Sequence, residues 1–165
     1  MSEKTEIFQF ATKESFKRFI NGFQHAIIYS AMLIFMFSAG AKIFSVWKPA
    51  KLLLVPDPFF PFITEIQLFV IAAIMELTVA GMLLQPWSVK FKLSMVNSLS
   101  SMLLIYRLGL RLLHAPPSYC PCLGNFWEAI GISDLLVTQI ALFMAWFLFL
   151  GSLCGLLTLG QSTTS

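Results

Sequence analysis

Two cysteines separated by a single proline lie within residues 114–124 (HAPPSYCPCLG), between two long apolar stretches. A disulfide requires Cα atoms about 4.4–6.8 Å apart, so Cys120 and Cys122 can bond only if the chain turns sharply at Pro121. The φ angle of proline, fixed near −65°, is compatible with such a turn. The resulting ring is small and strained, and strain makes a disulfide easier to reduce. The pair is therefore better suited to exchanging electrons than to stapling a fold.

Two other roles for the pair remain open. The cysteines could be structurally inert, or they could bind a metal with His114, although this set leaves a tetrahedral site short of ligands. Residues 125–128 (NFWE) have the spacing of a capping box, so a short helix is expected just beyond Gly124. Its N-terminal dipole would favour the thiolate form of Cys122. The third cysteine, Cys154, is expected to be a small buried hydrophobe.

The composition predicts an integral membrane protein. Of the 165 residues, 58% are hydrophobic and 12% are charged, whereas about 25% are charged in an ordinary soluble domain. The net charge of +3 gives no sign of nucleic-acid binding, so no nucleic-acid partner is expected. Because about 20 apolar residues cross the hydrocarbon core as a helix, the predicted fold is an all-α, four-helix bundle in a lipid bilayer. The spans are expected at about 23–47, 62–85, 93–113 and 133–158, with prolines in each link.

The segment 1–22 is expected to precede the four-span membrane domain at 23–158, which a short tail at 159–165 follows. The first segment is too charged for a signal peptide. Three apolar residues of this segment and the first residue of the next recur at helical spacing, opposite charged side chains, which predicts an amphipathic helix lying on the membrane surface. These residues are Phe16, Phe19, Ile20 and Phe23.

The distribution of lysine and arginine indicates which side faces the cytoplasm. More of them fall on the side of the termini and of the link between spans two and three than on the opposite side. The termini are therefore expected to be cytoplasmic, in an inner (cytoplasmic) membrane. The Cys-Pro-Cys loop is then extracytoplasmic, where disulfides form and persist. The residues on the terminal side are Lys4, Lys13, Lys17, Arg18, Lys90 and Lys92, and those on the other side are Lys48, Lys51 and Arg111.

Four ionisable residues lie inside or near the predicted spans, where each costs about 2.5–3.5 kcal/mol if unpaired near the bilayer centre. A rise of about 1.5 Å per residue places Lys42, Glu65 and Arg107 about 5–9 Å below the outer helix ends, in one layer beneath the thiol loop. A salt-bridge cluster that positions the loop is expected there, and a quinone or proton site is the alternative. Glu76 lies deeper, about 21 Å from the outer end, and is expected either to hydrogen-bond to serines of span three or to be protonated. Those serines are Ser98, Ser100 and Ser101.

Three segments together resemble one family of membrane proteins. They are 38–44 (SAGAKIF), 75–84 (MELTVAGMLL), which contains a mid-span glutamate, and 120–124 (CPCLG). In these segments the chain resembles the MauE branch of the DoxX-like membrane proteins, which are related to methylamine utilisation proteins. The resemblance extends over about 23–158.

The resemblance implies a four-helix membrane protein that works with a thioredoxin-like extracytoplasmic partner to form or maintain disulfides in a maturing secreted redox enzyme. It also implies roles for four residues. Cys120 and Cys122 match the family's paired cysteines, whereas Lys42 matches its span-one lysine and Glu76 its span-two glutamate. Leu123 departs from the pattern, because many relatives have phenylalanine after the second cysteine.

The sequence therefore supports three functions. The first is a membrane thiol–disulfide redox component, an oxidoreductase in which Cys120 and Cys122 cycle. The second is a non-catalytic subunit that packs in a larger respiratory or photosynthetic membrane complex, because an apolar, aromatic-rich outer face suits a protein neighbour as well as lipid. The third is metal or thiosulfate-type sulfur handling at the same loop.

Overall fold

Four long helices form the protein. The structure, a computed structural model, describes residues 3–47, 56–57, 59–113 and 134–162. The helices are α1 (Glu3–Trp47), α2 (Glu65–Leu84), α3 (Val89–Leu112) and α4 (Asp134–Ser162). Each contains a stretch long and apolar enough to cross a membrane, and the described part of the chain has no strand beyond an isolated bridge. The predicted all-α, four-helix membrane bundle is confirmed, and the protein is of the multi-pass membrane type.

The short link between α2 and α3 is fixed by polar contacts at its two ends. The Ser88 hydroxyl accepts a hydrogen bond from the Phe91 amide at 3.4 Å and caps α3, which is why α3 begins before the predicted start at 93. Lys92 lies in the first turn of α3, and its Nζ donates to the Leu83 carbonyl at 2.7 Å. A lysine at this position therefore satisfies a carbonyl at the end of α2, where the helix has no further amide donor.

The N-terminal segment and the first span are one continuous helix of 45 residues. Residues 3–47 contain no proline, and a single glycine such as Gly22 costs a helix only about 1 kcal/mol, so nothing breaks the helix at 22. The helical character predicted for this segment is confirmed, but it is an extension of α1 and not a separate element. Phe19 and Phe23 are exposed on it. Its position at a membrane surface remains a prediction.

The helices alternate in direction, as contacts near both ends of the bundle show. At the end of the bundle where the candidate membrane span of α1 begins, at Arg18, the Gln24 amide donates to the Gly155 carbonyl of α4 at 3.2 Å. At the opposite end, Arg107 Nη1 of α3 donates to the Thr138 carbonyl of α4 at 2.8 Å. Because Arg107 lies late in α3 and Thr138 early in α4, these two helices are antiparallel. The end that contains Arg107 and Thr138 is called the outer end below.

The polarity of the bundle is the reverse of that in a soluble protein. Large apolar side chains such as Leu33, Ile105 and Phe143 are 63–73% exposed, whereas charged side chains are buried. A soluble domain would have large apolar patches of this kind covered, but lipid covers them in a membrane. Within the described residues, the buried charged side chains are Lys42, Asp57, Glu65, Glu76 and Arg107.

Two glycines of α4 allow the helices to approach closely. A Cβ atom at Gly155 would lie 2.9 Å from a Leu93 methyl group of α3, and one at Gly151 would lie 2.6 Å from a methyl group of Ile27. By contrast, a Cβ atom at Gly81 of α2 would meet nothing within 4 Å. Small residues at the contacts between membrane helices allow such approach. The close contacts of α4 therefore depend on its glycines.

We expect Gly155→Leu to lower the free energy of unfolding by about 1–3 kcal/mol, because the added side chain overpacks the contact with Leu93. The matched control is Gly81→Leu, which we expect to leave that free energy unchanged or raise it by up to about 1 kcal/mol through helix propensity. Unfolding in mixed micelles, followed by circular dichroism, measures both. Equal losses in the two variants would contradict the assigned packing.

Candidate functional site

Lys42 and Glu76 form a buried ion pair between α1 and α2. Lys42 Nζ lies 2.7 Å from Glu76 Oε1 and 2.8 Å from Oε2, and the two side chains are 5% and 1% exposed. Ser38, one turn before Lys42 on α1, completes the cluster. Its hydroxyl accepts from Lys42 Nζ at 2.6 Å and donates to Glu76 Oε1 at 3.1 Å. The three protons of the ammonium group thus have three acceptors.

The direction of the side chains explains why these two residues meet. Cα–Cβ bonds tilt toward the N-terminus of a helix. Since α1 and α2 are antiparallel, Lys42 leans away from the outer end and Glu76 leans toward it. The Cα atoms of Lys42 and Glu76 lie at different depths in the bundle, but the charged ends of their side chains therefore meet at the same depth. Ser38 lies four residues before Lys42, on the same helix face, and so shares the cluster.

This pairing corrects the grouping expected from depth alone. Lys42 was expected in a layer with Glu65 and Arg107, and Glu76 among serines of α3. Instead, Lys42 binds Glu76 directly, whereas Ser100 and Ser101 donate to carbonyls of their own helix. Counting residues from helix ends gives the height of a Cα atom but omits the reach and tilt of a long side chain.

Glu65 and Arg107 are both buried toward the outer end, as the sequence predicted. Glu65 is the first residue of α2 and is 2% exposed, and Arg107 is 6% exposed. The contact of Arg107 with the Thr138 carbonyl joins α3 to the first turns of α4. Because the carbonyl belongs to a helix turn, the guanidinium fixes the spacing of two backbones. The guanidinium thus joins α3, after which the segment 114–133 begins, to α4, before which that segment ends.

A second polar contact at the outer end was not expected from the sequence. The Tyr106 hydroxyl of α3 donates to Asp57 Oδ2 at 2.5 Å. The other carboxylate oxygen, Oδ1, accepts from the amides of Phe59 and Phe60 at 2.8 and 3.0 Å. Asp57 is 1% exposed, so this carboxylate anchors the chain before α2 to α3. An aspartate followed by a turn was the available signal, but its partner lies 49 residues further along the chain.

A cavity of about 150 Å³ lies beside the ion pair, between the four helices. Its wall is mostly apolar, with aromatic and methionine side chains from several helices. A small number of polar side chains also reach it, all of them introduced above. These are Ser38, Lys42, Glu76, Ser100, Tyr106 and Arg107.

Of the three cysteines, Cys154 is the one that lies within the described residues. Cys120 and Cys122, with His114 and the helix expected after Gly124, lie outside the described residues. Cys154 is a free thiol and is exposed on α4, so the expectation that it is buried was wrong. It occupies an outward-facing position of α4, on an apolar helix that is long enough to cross a membrane. Among the residues that the structure describes, no group of three or more metal-ligating side chains is present.

Comparisons with known proteins assign this chain to no family. No family model, no curated protein and no solved structure matches this chain.

We expect Glu76→Leu or Lys42→Met alone to lower the free energy of unfolding by about 3–5 kcal/mol, because each leaves an uncompensated charge in the core. The double variant should recover most of this loss, since no unpaired charge remains. Lys90→Met, at an exposed position, is the matched control and should change stability by less than about 0.5 kcal/mol. Strictly additive losses in the double variant would show that the ion pair does not form.

Proposed function

We propose that this protein is a membrane thiol–disulfide redox component that assists disulfide formation or maturation of extracytoplasmic proteins. Cys120 and Cys122 cycle between a dithiol and a disulfide, and a thioredoxin-like extracytoplasmic protein is the partner. The observation that carries the proposal is the Cys-Pro-Cys sequence in the segment that joins α3 to α4. A pair spaced so closely forms a strained ring, which exchanges more readily than a structural disulfide.

The position of this segment in the bundle supports the proposal. The segment begins after Leu113, at the end of α3, and returns to the bundle at Asp134, the first residue of α4. Both attachment points belong to the outer end, where Arg107 ties α3 to the Thr138 carbonyl at 2.8 Å. The segment that contains the two cysteines thus starts and ends at helices that this hydrogen bond joins. A loop presented by a rigid scaffold suits reaction with a soluble protein.

The exchange proceeds through a mixed disulfide. When the pair is oxidised, a thiolate of the partner attacks one sulfur and displaces the other as a thiolate. The second thiol of the partner then attacks the mixed disulfide, so that two electrons and two protons pass from the partner to Cys120 and Cys122. The same steps in reverse pass two electrons and two protons from Cys120 and Cys122 to a disulfide of the partner. Lys42, Glu65, Glu76 and Arg107 support the bundle beneath the loop and take no part in the sulfur chemistry.

The proposed orientation places the exchange in an oxidising compartment. The termini lie in the cytoplasm and the segment 114–133 lies outside an inner membrane. Lys90 and Lys92, at the start of α3, then face the cytoplasm together with the start of α1, in agreement with the positive-inside rule. Disulfides persist on the opposite side of such a membrane.

The charge compensation of the buried Lys42–Glu76 pair supports this function over sulfur-anion handling at that pair. Lys42 and Glu76 compensate each other's charge at 2.7 Å, and the carboxylate of Asp57 is satisfied by two backbone amides and a tyrosine hydroxyl. Anions such as thiosulfate are attracted by an excess of positive groups. The ion pair offers no such excess.

The test is to trap the exchange intermediate. In a Cys122→Ser or Cys120→Ser variant the remaining thiol cannot be resolved within the pair, so a mixed disulfide with the partner should accumulate. Mass spectrometry of the cross-linked peptides should join Cys120 or Cys122 to a cysteine of a thioredoxin-like protein. Cys154→Ser is the matched control, and it should behave as the unsubstituted protein does.

The double variant Cys120→Ser/Cys122→Ser should slow disulfide formation in extracytoplasmic client proteins by about tenfold or more, as loss of an exchanging pair requires. The rate is measured by alkylation of newly made clients in whole cells. Unchanged client oxidation, together with loss of a larger membrane complex, would instead assign the chain as a non-catalytic subunit of a respiratory or photosynthetic assembly.

A further inference from the structure

The cavity beside the ion pair presents almost entirely apolar atoms to an occupant. Of the polar side chains that reach it, Ser38, Lys42 and Glu76 bind one another at 2.6–3.1 Å. The ammonium and carboxylate groups compensate each other's charge, so this cluster adds no net charge to the cavity. A charged occupant would lose its hydration without gaining a counter-charge, and the cavity therefore favours a neutral one.

The other polar side chains at the cavity also bind groups of the protein. Ser100 and Arg107 donate to backbone carbonyls at 2.6 and 2.8 Å. Tyr106 donates to the Asp57 carboxylate. Because these side chains already have partners, an occupant that needs hydrogen bonds would have to displace contacts that join the helices. A hydrocarbon needs none, and it is the occupant that this wall favours.

The size of the cavity makes an occupant favourable. Its volume is about 150 Å³, and an apolar cavity of about this volume stays dry and accepts a benzene-sized molecule, or roughly six carbon atoms. Phe35 and Leu148 line it and are only 1–2% exposed, so an empty cavity would deprive such side chains of packing contacts. Met75 and Met144 contribute flexible thioethers that adapt to the shape of a guest.

The cavity also reaches the lipid-facing surface of the bundle. Phe37, Phe60 and Met102 line it and are at the same time 41–55% exposed on the outside. Side chains that border both spaces mark where an apolar chain could pass from the surrounding lipid into the bundle. An occupant can therefore remain attached to a molecule that lies in the bilayer.

The depth of the cavity indicates which part of a lipid reaches it. Met75 lies ten residues after Glu65, the first residue of α2, and so about 15 Å below the outer end. With the outer helix ends at the membrane surface, this depth is the middle of a hydrocarbon core about 30 Å thick. The terminal carbons of lipid acyl chains lie at that depth, whereas the head groups stay at the surface.

We propose that this cavity holds the terminal carbons of a phospholipid acyl chain from the outer half of the bilayer. The wall contains side chains of all four helices, so the chain completes the packing of the bundle core as an apolar side chain would in a soluble protein. The site goes beyond the proposed thiol function and uses neither Cys120 nor Cys122.

The experiment is photo-cross-linking of the full-length protein in phosphatidylcholine nanodiscs. One probe is a phosphatidylcholine with a diazirine at the end of one acyl chain, and the other has the diazirine next to the glycerol ester. Mass spectrometry locates the adducts on two groups of residues. The cavity group is Phe35, Phe69 and Leu148, which are 1–7% exposed, and the lipid-facing group is Leu33, Ile105 and Phe143, which are 63–73% exposed.

We expect the chain-end probe to label both groups. The ester probe should label the cavity group at least about fivefold less than the chain-end probe does, because its diazirine stays near the membrane surface. A cavity group that the chain-end probe leaves unlabelled while it labels the lipid-facing group would overturn the proposal. Equal labelling of the cavity group by the two probes would also overturn it. This comparison uses the unsubstituted protein and so depends on no variant.

Substitutions in the wall test whether the chain lies in the cavity. Ala72→Leu fills it from α2 and Ala141→Leu from α4, and each should lower chain-end labelling of the cavity group by about fivefold or more. The matched control is Ala26→Leu, exposed on α1 and outside the cavity, which should leave both groups labelled as before. Unfolding midpoints show which variants are folded.

Folded filling variants whose cavity group is labelled as in the unsubstituted protein would contradict the proposal. The Cys120→Ser/Cys122→Ser variant separates this site from the proposed function, since it should be labelled as the unsubstituted protein is. Loss of client oxidation in that variant with unchanged labelling supports both proposals. Unchanged client oxidation with the expected labelling would remove the thiol function and leave the acyl-chain site intact.

Discussion

The ion pair between Lys42 and Glu76 is the constraint on which the rest of the bundle depends. Two opposite charges 2.7 Å apart, with Ser38 as a shared partner, sit among apolar helices where either charge alone would cost several kcal/mol. That cost penalises any register of α1 against α2 that separates the pair, so the pair specifies how the two helices align. Apolar contacts between lipid-facing helices lack such specificity, because a leucine packs as well against lipid as against another leucine.

The alignment of α1 and α2 connects with the other fixed points at the outer end. Asp57 attaches the chain before α2 to Tyr106 of α3, and the neighbouring Arg107 attaches α3 to Thr138 of α4. Tyr106 and Arg107, adjacent on α3, thus bind two different parts of the chain, the residues before α2 and the first turns of α4. Together with the ion pair, these contacts link all four helices in the half of the bundle that supports the thiol segment. The cavity lies among the same side chains, so the contacts that join the helix ends flanking the thiol segment also enclose it.

Much of the fold follows from the sequence because it depends on local properties. Hydropathy and the prolines of the links place the four spans to within a few residues. The burial of Lys42, Glu76 and Arg107 follows from the free-energy cost of exposing a charge to lipid. The partners of these residues do not follow, because they depend on side-chain tilt and helix stagger. Asp57 and Tyr106 are 49 residues apart, and no periodicity connects them. The exposure of Cys154 was also missed, because hydropathy does not distinguish a lipid-facing side of a helix from a protein-facing one.

The central claim is that the sulfurs of Cys120 and Cys122 join and part reversibly above this scaffold. A redox titration tests it most directly. The purified protein is equilibrated in thiol buffers of defined potential, alkylated, and its free thiols are counted from the intact mass. The account predicts a reversible two-electron transition between about −120 and −270 mV, the range of exchanging dithiols, in which two thiols disappear while Cys154 remains alkylated. Three alkylated thiols at every potential, or a pair that never reduces, would contradict it.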